Sequence, residues 1–319
     1  TSRQPFKLMR VPGPDGIDKV EAMKHTYHKL NLNCLVVLGG NGTHKTANLL
    51  REEGLNVITL PKTIDNDLWG TDMTFGFQSA VDIATEAIDR IHTTATSHSR
   101  VFIVEVMGHK VGWLTLYAGI SGGADIILLP EIPYDINVVC DAITKRSKAG
   151  KRFSILAVAE GVISKEDAGM TKKELKEKKK NGVVYPSVAY EIGARIQEVT
   201  GSEVRVTVPG HMQRGGEPCP YDRVLATRLG AAAARLIADE EYGYMVALKN
   251  NEITKVPLSE VAGKLKTVDP GCSMIKEAKM VRSCMGKWGE RRPDPADGPQ
   301  AALHTLHDVR SQRWLLGPP

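Results

Sequence analysis

No apolar run in this 319-residue chain reaches the ~18 residues that a membrane span needs, and the N-terminal TSRQPFKLMR lacks the apolar core of a signal peptide. Neither sign of charge dominates. The 42 Lys and Arg stand against 37 Asp and Glu, a formal +5 mixed along the chain. That balance does not mark a nucleic-acid binder, but it leaves room for a local basic pocket around a phosphorylated ligand. Cysteine is sparse: Cys34, Cys140, Cys219, Cys272 and Cys284 lie far apart with no CxxC pair. Reduced thiols in a cytoplasmic protein are therefore expected, rather than a disulfide framework. Solenoid repeats are absent too. What is present, 42% hydrophobic and 25% charged residues, makes a globular protein with a buried core, long enough for about two domains or one large α/β domain.

Apolar runs of strand length cover residues 32–38, 56–60, 101–106, 124–129, 153–159 and 203–208, most of them ending in glycine or proline. They are continuous, as strands buried on both faces should be. Segments of helical period lie between them at 43–53, 77–95, 136–149, 187–200 and 222–240. The alternation predicts a mostly parallel sheet covered by helices. Residues 243–248 and 252–257 flank Lys249, Asn250 and Asn251 and read as a hairpin. The lysine-dense segment 171–180, with Glu174 and Glu177, reads as a solvated helix face. Residues 287–319 hold five of the 17 prolines and read as an appended tail.

Ligands of such folds gather beyond the carboxyl ends of the strands, where the polar and glycine-rich segments sit here. The first is Gly39-Gly40-Asn41-Gly42-Thr43, between a strand and a helix. Its spacing is neither GxxxxGK[ST] nor GxGxxG. It reads as a phosphate-binding turn or as a tight connection without a ligand. The second is Pro61-Lys62-Thr63-Ile64-Asp65-Asn66-Asp67, where one carboxylate can take a proton from a hydroxyl while the other holds a cation. An Asx-rich turn that only caps the next helix is the competing reading. Met107-Gly108-His109 follows a third strand and Glu160 a fifth, while Arg205, His211 and Arg214 surround a proline and glycine turn. Arginine forks suit phosphate oxygens and a carboxylate suits sugar hydroxyls, so together they suggest a phosphosugar; taken singly, each arginine also reads as a surface salt-bridge partner and the histidine as an ordinary core or surface residue.

GGNGT at 39–43, PKTIDND at 61–67, MGH at 107–109, AEG at 159–161 and GHMQRGG at 210–216 have the order and rough spacing of the phosphofructokinase family. The chain resembles that family from its start to about residue 277, and more narrowly a mixed bacterial subgroup. The resemblance implies an α/β protein of two Rossmann-like three-layer domains with mostly parallel sheets. Residues 1–76 plus 213–262 would form the phosphoryl-donor domain and 77–212 plus about 263–286 the fructose 6-phosphate domain, with 287–319 as a tail. It implies transfer of the ATP γ-phosphate to the 1-hydroxyl of fructose 6-phosphate with Mg²⁺, a glycolytic step in the cytoplasm. Asp65 would be the general base, with Lys62, Thr63 and Asp67 at the transferring phosphoryl group. Asp67 and Asn41 would face the metal, and Arg3, Gly40, Asn41, Gly42 and Thr43 the donor. Thr63, Ile64, Asp65, Met107, Gly108, His109, Glu160, His211, Met212, Gln213 and Arg214 would line the sugar phosphate. Arg100 and Arg205 would arrive from a neighbouring subunit of a homo-oligomer, a dimer or tetramer with shared sites.

The resemblance has departures. Asn41 stands where the family has a metal-associated aspartate, and His109 where bacterial ATP enzymes have arginine. The family also opens with roughly 70 further residues, so the first domain is expected to be incomplete. Gly42 leaves room for a nucleotide where pyrophosphate-using relatives carry aspartate, whereas Lys62 resembles the pyrophosphate type. Steric room weighs more, and ATP is the expected donor. A pyrophosphate-dependent enzyme and a catalytically silent sugar-phosphate-binding subunit are the alternatives.

Overall fold

The computed structural model describes residues 9, 16 and 18–287, apart from 98, 99, 182 and 282. Arg3 and the tail from 288 onward lie outside the described residues. The first element among the described residues is α1 (Lys19–Lys29), capped by Asp18, whose carboxylate accepts from Val20 N and Glu21 N. There follow β1 (Leu35–Gly39), α2 (Asn41–Glu52), β2 (Val57–Pro61), α3 (Phe77–Ala95), β3 (Val101–Val106), α4 (Trp113–Ser121), β4 (Ile126–Leu128), α5 (Ile136–Lys148) and β5 (Ser154–Ala159). Short α6 (Lys165–Ala168) and α7 (Lys172–Asn181) lead to α8 (Val188–Thr200), β6 (Val204–Thr207) and a 3-10 turn (Gly210–Arg214). Then come α9 (Pro220–Ala238), β7 (Tyr244–Lys249), β8 (Glu252–Pro257), α10 (Leu258–Val261) and α11 (Ser273–Met280).

These elements form an α/β fold of two compact units. One reaches Ser79 and takes up again over Glu217–Lys266; the other holds Ala80–Gly216 and resumes at Thr267. The first unit carries a sheet in the order β1-β2-β7-β8, parallel except for the β7–β8 hairpin. The hairpin loop is Asn250-Asn251, with φ of 49° and 65°. Positive φ at both positions suits a two-residue hairpin turn, and asparagine tolerates it. Helices cover both faces. Val57 points into a core with Ala47, Leu50 and Val20, and its neighbours Ile58 and Leu60 into another with Leu225, Leu229 and Val246.

The second unit's sheet, in the order β4-β5-β3-β6, is parallel throughout. Ile103, Leu128, Leu156 and Val158 pack with Val139 and Ile143 of α5 and Ile192 and Ile196 of α8. On the other face α4 comes so close that a Cβ on Gly119 would lie 2.9 Å from Ile127.

Three expectations need correction. The run at 32–38 was expected to be buried on both faces, but β1 is an edge strand. Leu35 and Val37 join the core, while Val36 and Leu38 stay 41% and 49% exposed. Edge position also leaves β6 only partly covered. Finally α1, α4 and α11 form where no helix was expected. The lysine-dense segment does form a helix, α7, opened by a reciprocal cap in which Thr171 N donates to Glu174 Oε2 and Glu174 N to Thr171 Oγ1.

Candidate active site

In the first unit β1 ends at Gly39 and α2 starts two residues later. A Cβ on Gly39 would lie 2.4 Å from Thr43 Oγ1, so the strand end is pressed against the first helical turn. Gly40 is the N-cap and has no side chain to satisfy the amides of that turn. The amides of Asn41, Gly42 and Thr43 therefore lack intrahelical acceptors, and with the positive end of the helix dipole they form an anion-attracting turn. A Cβ on Gly42 would meet nothing within 4 Å. Asn41 turns aside, its Nδ2 donating to Lys264 O at 2.7 Å. His44, fully buried, donates from Nδ1 to Gly40 O at 3.0 Å, and burial pushes its pKa down to about 4.

The neighbouring strand end is tied to this turn, because Lys62 N donates to Gly39 O at 3.1 Å. From there residues 62–76 fold back on themselves. Asp65 N donates to Thr63 Oγ1 at 3.2 Å, the Thr74 hydroxyl to Thr63 O at 2.8 Å and Phe75 N to Pro61 O at 3.1 Å. Asn66 is the centre of the loop, 2% exposed and left-handed with φ of 52°. Its Oδ1 accepts from Thr74 N at 3.1 Å and Lys266 Nζ at 2.9 Å, and its Nδ2 donates to Asp72 O at 3.4 Å. Asp65 and Asp67 flank it, so holding Asn66 holds the two carboxylates. Burial pulls the Lys266 ammonium down to about 8 against the opposing pull of Asp72 and Asp67. Lys62 is exposed at the loop's start.

No group of three His, Cys, Asp or Glu among the described residues is arranged to hold a metal ion. Mg²⁺ commonly needs only one or two carboxylates, with substrate phosphates and water supplying the rest. Asp67, in the loop tied to the phosphate-attracting turn, fits that requirement. Asn41 can add only its neutral Oδ1.

In the second unit the chain after β3 is bent and clamped. Gly108 has φ of 148°, and a Cβ there would lie 2.6 Å from Val111 O. His109 follows with φ of 54°. Both amides donate to Glu160 Oε1, at 3.2 and 2.6 Å. Met107 N donates to Gln213 Oε1 at 3.1 Å, and Gln213, 1% exposed, returns Nε2 to Gly210 O at 3.2 Å. Its neighbours His211, Met212 and Arg214 are exposed. A cleft of about 570 Å³ is lined by Glu105, His109, Lys110, Glu160 and Ser187, among others. Arg100 and Arg205, brought together where β3 pairs with β6, both bond Glu203, and chiefly the Arg100 bond holds that carboxyl below its usual range.

Residues 4–237 match the phosphofructokinase family. The chain belongs to that family. ATP-dependent 6-phosphofructokinase of Spirochaeta thermophila is 58% identical over 293 residues, covering 90% of this chain and 79% of that protein. ATP-dependent 6-phosphofructokinase 3 of Bacteroides thetaiotaomicron is 46% identical over 287 residues, covering 90% and 80%. Among solved structures, Pichia pastoris phosphofructokinase in the T-state aligns with a TM-score of 0.66 at 32% identity, over 82% of this chain and 29% of that longer one.

In this phosphofructokinase the described candidates fall into two groups. Gly40, Asn41, Gly42, Thr43, Lys62, Thr63, Ile64, Asp65 and Asp67 lie in the first unit. Arg100, Met107, Gly108, His109, Glu160, Arg205, His211, Met212, Gln213 and Arg214 lie in the second. Sequence reasoning missed Glu105, whose Oε2 accepts from Ala189 N at 3.0 Å in the first turn of α8. A lone carboxylate inside the apolar run VFIVEV was the available signal. It also missed Lys266, which nothing in GKLKTV sets apart.

Proposed function

We propose that this chain is an ATP-dependent 6-phosphofructokinase that moves the ATP γ-phosphate to the 1-hydroxyl of fructose 6-phosphate, giving fructose 1,6-bisphosphate. The observation that carries this reading is the junction of the anion-attracting turn with the paired-carboxylate loop at neighbouring strand ends, through Lys62 N and Gly39 O. Donor phosphates lie against Gly40, Asn41, Gly42 and Thr43, and Arg3, outside the described residues, is assigned to the same ligand by the resemblance. Asp65 takes the proton of the 1-hydroxyl, while Thr63 and Lys62 steady the moving phosphoryl group. Asp67 would hold Mg²⁺, which would neutralise charge on the phosphoryl oxygens. A loose phosphoryl transition state needs little covalent help, so rigid placement of these groups supplies most of the rate.

For the sugar, one Glu160 oxygen is already committed to the Gly108 and His109 amides, and the other serves the sugar hydroxyls. Met107, Gly108 and His109 shape the floor. His211, Met212, Gln213 and Arg214 serve the acceptor end, Gln213 by bracing the Met107 amide. Arg100 and Arg205 complete the phosphate site of a neighbouring subunit in a homo-oligomer, and Glu203 keeps them together.

Lys62, an added positive charge that resembles the pyrophosphate-type enzymes, supports pyrophosphate as the second reading. A coupled assay for fructose 1,6-bisphosphate with ATP and pyrophosphate in parallel decides. Product with ATP is expected; product with pyrophosphate alone reverses the donor, and none with either leaves a silent binding subunit.

A further inference from the structure

We infer that Lys266 is a positioning residue for phosphoryl transfer, its ammonium locking the loop that presents Asp65 and Asp67. Three acceptors converge on Nζ: Asn66 Oδ1 at 2.9 Å, Thr71 O at 2.9 Å and Asp72 O at 2.8 Å. An ammonium has three N–H groups and no acceptor, so it matches this triad, whereas a neutral side chain of similar length would take one donor from each oxygen, leaving Asn66 Oδ1 to Thr74 N, Asp72 O to the longer 3.4 Å bond from Asn66 Nδ2, and Thr71 O without the donor it has here. The same residue grips the loop a second time, since its backbone N donates to Asp67 O at 2.9 Å beside a bridge between Leu68 and Leu265. Lys266 thus holds Asn66 by side chain and Asp67 by backbone. The left-handed φ of Asn66 is a conformation that a non-glycine residue keeps only when its surroundings impose it. Thr74 N and Lys266 Nζ, both on Asn66 Oδ1, are what impose it.

Because Nζ is committed to loop oxygens, its part is to set where the two carboxylates stand. Its removal should therefore slow the chemical step more than it weakens either substrate. The inference rests on Asp65 being the base, so Asp65→Asn is measured alongside.

The test compares wild type, Lys266→Met and Lys266→Arg by steady-state kinetics, thermal melting and amide hydrogen exchange of residues 65–74. Lys266→Met is expected to lower kcat about 100-fold, the cost typical of a misplaced catalytic group, with both KM values within about threefold and faster exchange confined to the loop. Lys266→Ala should regain part of its kcat when ethylamine is added, the small amine restoring the missing donors. Lys266→Arg keeps the charge but not the three converging bonds, and it should fold and fall between wild type and Met. A kcat for Lys266→Met within about threefold of wild type, or a loss that follows global melting and ignores the amine, overturns the inference. If Met and Ala variants do not fold, a fully active Lys266→Arg does the same. An unimpaired Asp65→Asn beside a slow Lys266→Met with a loosened loop would instead reject the base and keep the lysine.

Discussion

In the first unit the donor turn is made by leaving side chains out. Gly39 brings strand and helix together, Gly40 leaves the amides uncapped and Gly42 opens onto empty space. In the second unit the acceptor-side backbone is bent and then held by side chains. Glu160 takes the amides of Gly108 and His109, and Gln213 takes that of Met107. The first arrangement leaves its amides without a side-chain cap or intrahelical acceptors among the described residues and so attracts an anion. The second has the amides of Met107, Gly108 and His109 already satisfied within the protein. The turn of the first unit is left for an anion to complete; the loop of the second is completed by its own chain.

The contrast can be broken most severely at the carboxylates. Asp65→Asn should lower kcat about a thousandfold, the usual range for losing a general base, while fructose 6-phosphate binding measured by calorimetry persists. Near-normal turnover would remove the base from this loop. Acid should next weaken the first unit through His44. The unfolded chain protonates His44 near 6.5 but the folded chain only near 4, so the unfolded state holds more protons in that window. The stability from this group is complete above pH 6.5 and drains away as pH falls to 4, about 3 kcal/mol in all. His44→Phe should flatten that part of the pH–melting profile, and an unchanged acid slope would count against a neutral buried imidazole.

Gly42→Asp sharpens the comparison differently, because the fold has room for the side chain, whereas under the proposed function it would crowd the nucleotide. It should raise the ATP KM about 100-fold with a melting temperature close to wild type; unaltered ATP kinetics would show that Gly42 does not face the nucleotide. Smallest in effect is Gly108→Ala. Its Cβ would strike Val111 O while keeping a φ foreign to alanine, for about 2 kcal/mol of lost stability. A melting temperature equal to wild type would mean that the clamp is softer than its geometry.

Much of this was readable from the sequence. Strands such as 101–106 and 153–159 are unbroken apolar runs because they are buried on both faces of a covered parallel sheet. The motifs stood out because glycine, proline and paired carboxylates cluster where strands end. The missed helices have physical reasons. Trp113–Ser121 is apolar nearly all round and so shows no helical stripe, and Lys19–Lys29 has only Val20 and Tyr27 buried. The exposed face of β1 escaped notice because Val36 and Leu38 look like core residues in a one-dimensional reading. Lys266 was invisible for a different reason. It lies about two hundred positions from Asn66, and only the fold brings the two together.

Gly39 and Gly42, three positions apart, have opposite freedom to vary. Any side chain at Gly39 collides with Thr43, so mutations there are purged whatever the enzyme's substrate. At Gly42 the fold exerts no such veto. Glycine and aspartate codons can differ by one base, so a lineage can change the chemistry of this turn in a single step without first repairing its architecture.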